Sequence, residues 1–222
     1  MDLARLNILV ERLRKESIGE PKRIAEKDAF EYQEESAKVV AVLKLVRAAH
    51  GISALDVLCR AGLFIDFGAI TRCVMDCLDE IHFLLEDYPK TSGNVDLLVK
   101  SFFASTIDGY LDDDTPPVPT KKIRAAAVRY LKGKHDDATQ KVMENIYKTF
   151  CGYVHANYAH IMEVYNEHTQ DFNLAGVPSD AQKAKRAQYV EVMGSNVLLA
   201  AAFIAQTLEL RHLSQEILKA VD

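Results

Sequence analysis

Hydrophobic residues along this chain recur three and four positions apart, the period of helices that bury one face. No window alternates cleanly with period two. The pattern predicts helices over 3–16, capped by Asp2, over 28–49, ended by Gly51, and over 54–87, capped by Ser53. Gly62 and Gly68 fall inside the third, where glycine lowers helix propensity, so close packing against a neighbour is their expected reason. Asn94 caps a helix to about Tyr110, and DDDTPPVP at 112–119 is a loop. Thr120 opens the helix KKIRAAAVRYLKGK. Another begins at Asp136 or Asp137 and continues, kinked at Gly152, through YVHANYAHIMEVYN. Ser179 caps a last helix that runs nearly to the C-terminus. The only strands expected are a pair near FNLAGV, 172–177.

These elements make one all-α domain over residues 1–222, a bundle of seven or eight helices of which two are long. Helices that long leave surface for a partner, most simply a second copy, so a homodimer is expected.

Composition adjusts this picture little. The 222 residues are 49% hydrophobic and 27% charged, a globular balance. The charged N-terminus resembles neither a signal nor a transit peptide. The longest apolar run, VLLAAAFIA at 197–205, falls short of the roughly 18–20 residues of a membrane span. A soluble cytoplasmic protein with no membrane contact is therefore expected. The net charge of −5 weighs against non-specific nucleic-acid binding, which rests on Lys and Arg neutralising phosphates. Cys59, Cys73, Cys77 and Cys151 lack CxxC spacing and read as reduced core thiols. There is no Gly-rich nucleotide loop, no hydrolase Ser elbow and no DNA-binding motif, and no cofactor is expected.

Three stretches could carry chemistry. In YVHANYAHIMEVYN a continuous helix would place Val154, Tyr158, Ile161, Met162 and Tyr165 on one side. His155 would lie at the border of that side, half-sheltered, and His160 opposite, solvated and beside Glu163. Two histidines five apart stand about 140° apart on a helix and cannot grip one ion, so no metal is expected. In RCVMDCLDEIHFLL, 72–85, Arg72, Asp76, Asp79 and Glu80 share one side and Val74, Leu78, Ile81 and Leu85 the other. Arg72 and Asp76 form either a solvated i,i+4 pair or, if buried, a fixed anion or ligand anchor. In KKIRAAAVRYLKGK, Lys121, Lys122, Arg129 and Lys132 gather opposite an apolar side of Ile123, Ala126, Ala127, Tyr130 and Leu131. That basic patch is a solvated face or a phosphate or RNA contact.

Arg72 with Asp76 on a long helix, and Tyr147, Lys148 and a later His155 in YKTFCGYVHANY, together resemble a set of uncharacterised bacterial helical domains related to the HEPN (higher eukaryotes and prokaryotes nucleotide-binding) superfamily. The resemblance covers roughly residues 40–170. It implies a HEPN-like dimeric bundle. Many active relatives are metal-independent ribonucleases with an Arg four to six residues before a His. The resemblance would give His155 the proton-transfer role, Lys148 the charge-stabilising role and Tyr158 an orienting one. Lys148 is a point charge where the family uses the fork of Arg. Two functions are therefore expected: a non-catalytic module that binds a protein or small ligand, or an endoribonuclease acting through His155 and Lys148.

Overall fold

The computed structural model describes residues 1–25, 28–104 and 117–221. Among these are nine helices and two short hairpins, an all-α bundle in one domain. Helix α1 (Leu3–Ile18) starts where Asp2 accepts a hydrogen bond from the Arg5 backbone N–H. It is followed by strands β1 (Lys22–Ile24) and β2 (Ala29–Glu31), antiparallel with Lys22 opposite Glu31. The hairpin replaces the start of the helix expected from Asp28. It is tied down by buried Arg14, which reaches Glu11, Glu20 and the Tyr32 hydroxyl.

Helix α2 (Ala37–Ala61) is capped by Ser36 and passes through Gly51 without stopping. A Cβ at Gly51 would stand 2.5 Å from Val74 Cγ2, so this glycine lets α2 lie close on α3 (Phe64–Leu85). The single helix expected over 54–87 is thus two, and the stop is Gly62. Gly62 takes the left-handed conformation at φ 75°, where glycine has no steric penalty. Both glycines also meet the expectation of close packing, for a Cβ at Gly62 would stand 2.2 Å from Val177 O and one at Gly68 would enter the Tyr153 ring.

Helix α4 (Gly93–Ala104) follows; the expected extension to Tyr110 and most of the 112–119 loop lie outside the described residues. Helix α5 (Thr120–Lys132) opens at Thr120 and ends at left-handed Gly133. Helix α6 (Asp137–Val154), capped by Asp136, ends at His155 instead of running through Gly152 to Asn166. Ala156 at φ 50° turns the chain into the short α7 (Tyr158–Met162). The strand pair forms earlier than expected, between β3 (Tyr165–Asn166) and β4 (Asp171–Phe172). Asn166 Oδ1 accepts from the N–H groups of His168 and Thr169 and closes its turn. The chain then folds back onto the α2–α3 corner, where Val177 N–H donates to Gly62 O at 2.9 Å.

Ser179 caps α8 (Asp180–Thr207), and a break at Glu209, φ 63°, separates it from α9 (Arg211–Leu218). The expected single C-terminal helix is therefore two. Helix α8 is long and apolar enough, by length and composition, to cross a membrane, which the nine-residue run did not suggest. In the bundle that stretch lines the core: Val197, Leu198, Ala201 and Ile204 are almost wholly buried against α2, α3, α1 and α9. One main core joins α1, α2, α3, α5, α8 and α9. Helix α3 sits between α2 on one side and α5, α6 and α8 on its others, and this placement creates the site.

Candidate functional site: a groove beside a buried arginine–tyrosine stack

Helices α6 and α8 both pack on α3 and flank a groove of about 460 Å³. Such a volume suits one small organic molecule. Buried Phe67 of α3 forms its floor. Thr149, Phe150 and Tyr153 of α6 form one wall, and Gln182, Lys185, Arg186 and Tyr189 of α8 the other. The α8 residues are spaced 182, 185, 186 and 189, so they share a face. Phe150 stacks on Tyr153 with centroids 5.9 Å apart.

Glu163, just past α7, closes the end of the groove. The Tyr153 hydroxyl donates to its Oε1 at 2.7 Å, and Arg186 Nη2 donates to its Oε2 at 2.6 Å. Arg186 also lies over the Phe64 ring, 3.9 Å from its centroid. Burial, and after it the bond to Glu163, push the Tyr153 hydroxyl up to about 12. Tyr153 therefore stays protonated and serves as a fixed donor.

On the other side of α6 from the groove's mouth is a charged cluster inside the bundle. The Tyr147 ring is held by two guanidinium groups, Arg72 of α3 at 3.6 Å and Arg124 of α5 at 3.3 Å from its centroid. Arg72 pairs with Asp76, and its Nε lies 3.5 Å from Cys151 Sγ. Arg124 faces Asp79 across 3.6 Å. Arg72, Arg124 and Asp79 are all buried. Burial drives the Asp79 carboxyl up to about 6 against the opposing pull of both arginines. The i,i+4 pair of Arg72 with Asp76 forms, with Arg72 buried and Asp76 half-buried, so it is not on a solvated face. His82, one turn beyond Asp79, stacks on Tyr130, and burial lowers it to about 4.

The remaining sequence-derived residues are dispersed. His155 is exposed at the C-cap of α6, not half-sheltered, because the helix that would have sheltered it ends there. Val154, Tyr158 and Ile161 are exposed for the same reason. Lys148 is exposed, seven residues before His155 and so on the same side of α6. His160 is not solvated beside Glu163. Its ring packs 4.1 Å from the Tyr153 ring, over Gly152, where a Cβ would stand 2.2 Å from His160 Cε1. In the basic patch Lys121, Lys122, Arg129 and Lys132 are exposed, but Arg129 forks onto Glu86 at 2.5 and 2.9 Å. The four cysteines are free, Cys59 and Cys77 buried and Cys73 and Cys151 half-buried. Among the described residues no three His, Cys, Asp or Glu side chains converge as metal ligands.

Sequence reasoning missed Arg124 and the groove residues Phe150, Tyr153, Glu163, Lys185, Arg186 and Tyr189. Arg124 carried a legible signal, since 123, 124, 127 and 128 share the apolar side of α5. The groove had none, because its two walls come from segments about thirty residues apart that meet only through α3. No family model matches this chain, and no match is found among curated proteins or solved structures.

Proposed function

We propose that this chain is a non-catalytic helical binding module, acting as a homodimer, whose ligand seats in the groove between α6 and α8. The observation that carries this reading is the groove itself: a concavity of about 460 Å³ walled by Phe150, Tyr153 and Tyr189 on a floor of Phe67. Around these rings stand Thr149, Glu163, Gln182, Lys185 and Arg186, so the groove offers aromatic contact together with polar groups that can orient a ligand. The Tyr153–Glu163–Arg186 chain ties the α6 wall to the α8 wall, so less ordering is left to binding. The test is a thermal-shift panel of small aromatic and aliphatic compounds on wild type and on Thr149→Phe, which fills the groove mouth from an exposed position. Compounds that stabilise wild type and not the variant are expected. Equal shifts in both would place the ligand elsewhere.

A second reading follows from one further observation. Lys148 and His155 lie on the same exposed side of α6, where a second copy could bring two such pairs together. This is the HEPN-like ribonuclease reading, in which a histidine moves the proton of a ribose 2′-hydroxyl and a cation holds the phosphorane charge. Cleavage of a mixed RNA pool in EDTA by wild type, leaving cyclic-phosphate ends, and its absence in His155→Ala, would establish it. Intact RNA with both proteins leaves the binding module.

A further inference from the structure

Resting on the groove as the binding site, we infer that its ligand is an aromatic acid, a flat one- or two-ring system carrying a single anionic group. The walls determine the ring. Phe150 and Tyr189 face the groove from opposite helices above Phe67, and Tyr189 is 47% exposed, so an aromatic face is offered without a partner. Planar rings are held at such places by offset stacking and edge contacts.

Charge determines the second part. The groove holds one carboxylate and two cations, Glu163, Lys185 and Arg186. Glu163 accepts at both oxygens, and Arg186 is paired with it through Nη2 and lies over the Phe64 ring. Those two charges cancel inside the wall. Lys185 is exposed on the rim and is in no ion pair among the described residues. It stands one helical turn from both Gln182 and Tyr189, so its ammonium and the Gln182 amide reach the edge of a ring seated on Tyr189. The groove is thus left with one uncancelled positive charge at its mouth and rings at its base. A cationic ligand would meet Lys185 with repulsion. A neutral one would leave its charge unused.

Calorimetric titration with 2-naphthoate, with 2-naphthylmethanol as the uncharged ring and with acetate as the ringless anion separates these contributions. Naphthoate is expected to bind about threefold to fivefold more tightly than the alcohol, the size of one solvent-exposed ion pair, and acetate not measurably. Lys185→Gln is expected to bring naphthoate to the level of the alcohol and to leave the alcohol unchanged. Tyr189→Ala is expected to weaken both. Naphthoate binding no better than the alcohol, or a preference that survives Lys185→Gln, overturns the aromatic acid while the groove stands. Binding of neither ring compound, or binding that Thr149→Phe leaves intact, overturns the groove along with it.

Discussion

Asp79 and His82 lie one turn apart on α3, both buried, and burial moves their titrations in opposite senses. The Asp79 carboxyl rises from 3.8 to about 6, so the folded chain favours its neutral form. That contribution is complete below about pH 3.8 and is lost as pH rises through 6. His82 falls from 6.5 to about 4, so its contribution is complete above 6.5 and is lost as pH falls through 4. Each shift corresponds to about 3 kcal/mol, so between about pH 4 and 6.5 the two slopes nearly cancel. Urea unfolding of variants separates them. Relative to wild type, His82→Phe is expected to gain about 3 kcal/mol on acidification from neutral pH to about pH 4, and Asp79→Asn to lose a similar amount. Parallel pH profiles for both variants and wild type would show that neither group is shifted. Arg72 with Asp76 was readable as an i,i+4 pair, but its burial was not. That depends on Tyr147 and on Arg124, which come from two other helices.

Three helix starts were legible, whereas those of α2 and α3 and most helix ends were not. Asp2, Asp136 and Ser179 each cap a helix through a side-chain oxygen, a local interaction written in the sequence. Two of the missed breaks turn on Ala156 and Glu209 in the left-handed region, residues that seldom adopt it and so carry no stop signal. Placing His155 on a sheltered border failed because it assumed that the helix continued past such a break. The glycines are read differently: Gly51 resembled a stop and is a packing contact, whereas Gly62 is the packing contact it resembled, against the Val177 backbone, and is the stop as well. Gly68 joins α3 to the groove wall, since a Cβ there would stand 2.1 Å from Tyr153 Cγ. Gly68→Ala is expected to cost about 1–3 kcal/mol of stability by overpacking and to push Tyr153 off Glu163. Gly93→Ala, which meets nothing within 4 Å, serves as the control and is expected to stay within about 0.5 kcal/mol. Equal stability of the two variants would mean that α6 does not sit so close to α3.

At the scale of the molecule, α6 leaves Val142 and Ile146 exposed one turn apart, continuous along the helix with the groove residues Thr149 and Phe150. An apolar stripe of that kind is the surface that the proposed second copy would cover. Sedimentation is expected to give a dimer for wild type and a monomer for Ile146→Lys, with unchanged helicity. A monomeric wild type would remove the homodimer from the proposal and leave the groove. The all-α class was legible because apolar periodicity is local, whereas the groove depends on how α6 and α8 are both seated on α3. The chain contains no tryptophan, so Tyr189→Trp would put a single indole on the groove wall at a half-exposed position. Its emission should be followed while naphthoate, naphthylmethanol and benzylamine are added in turn. A saturable change with naphthoate, abolished when Thr149→Phe is added to the same chain, is the expected result. An emission spectrum indifferent to all three compounds, or one that changes equally with the mouth filled, would contradict the assignment of the groove as the binding site.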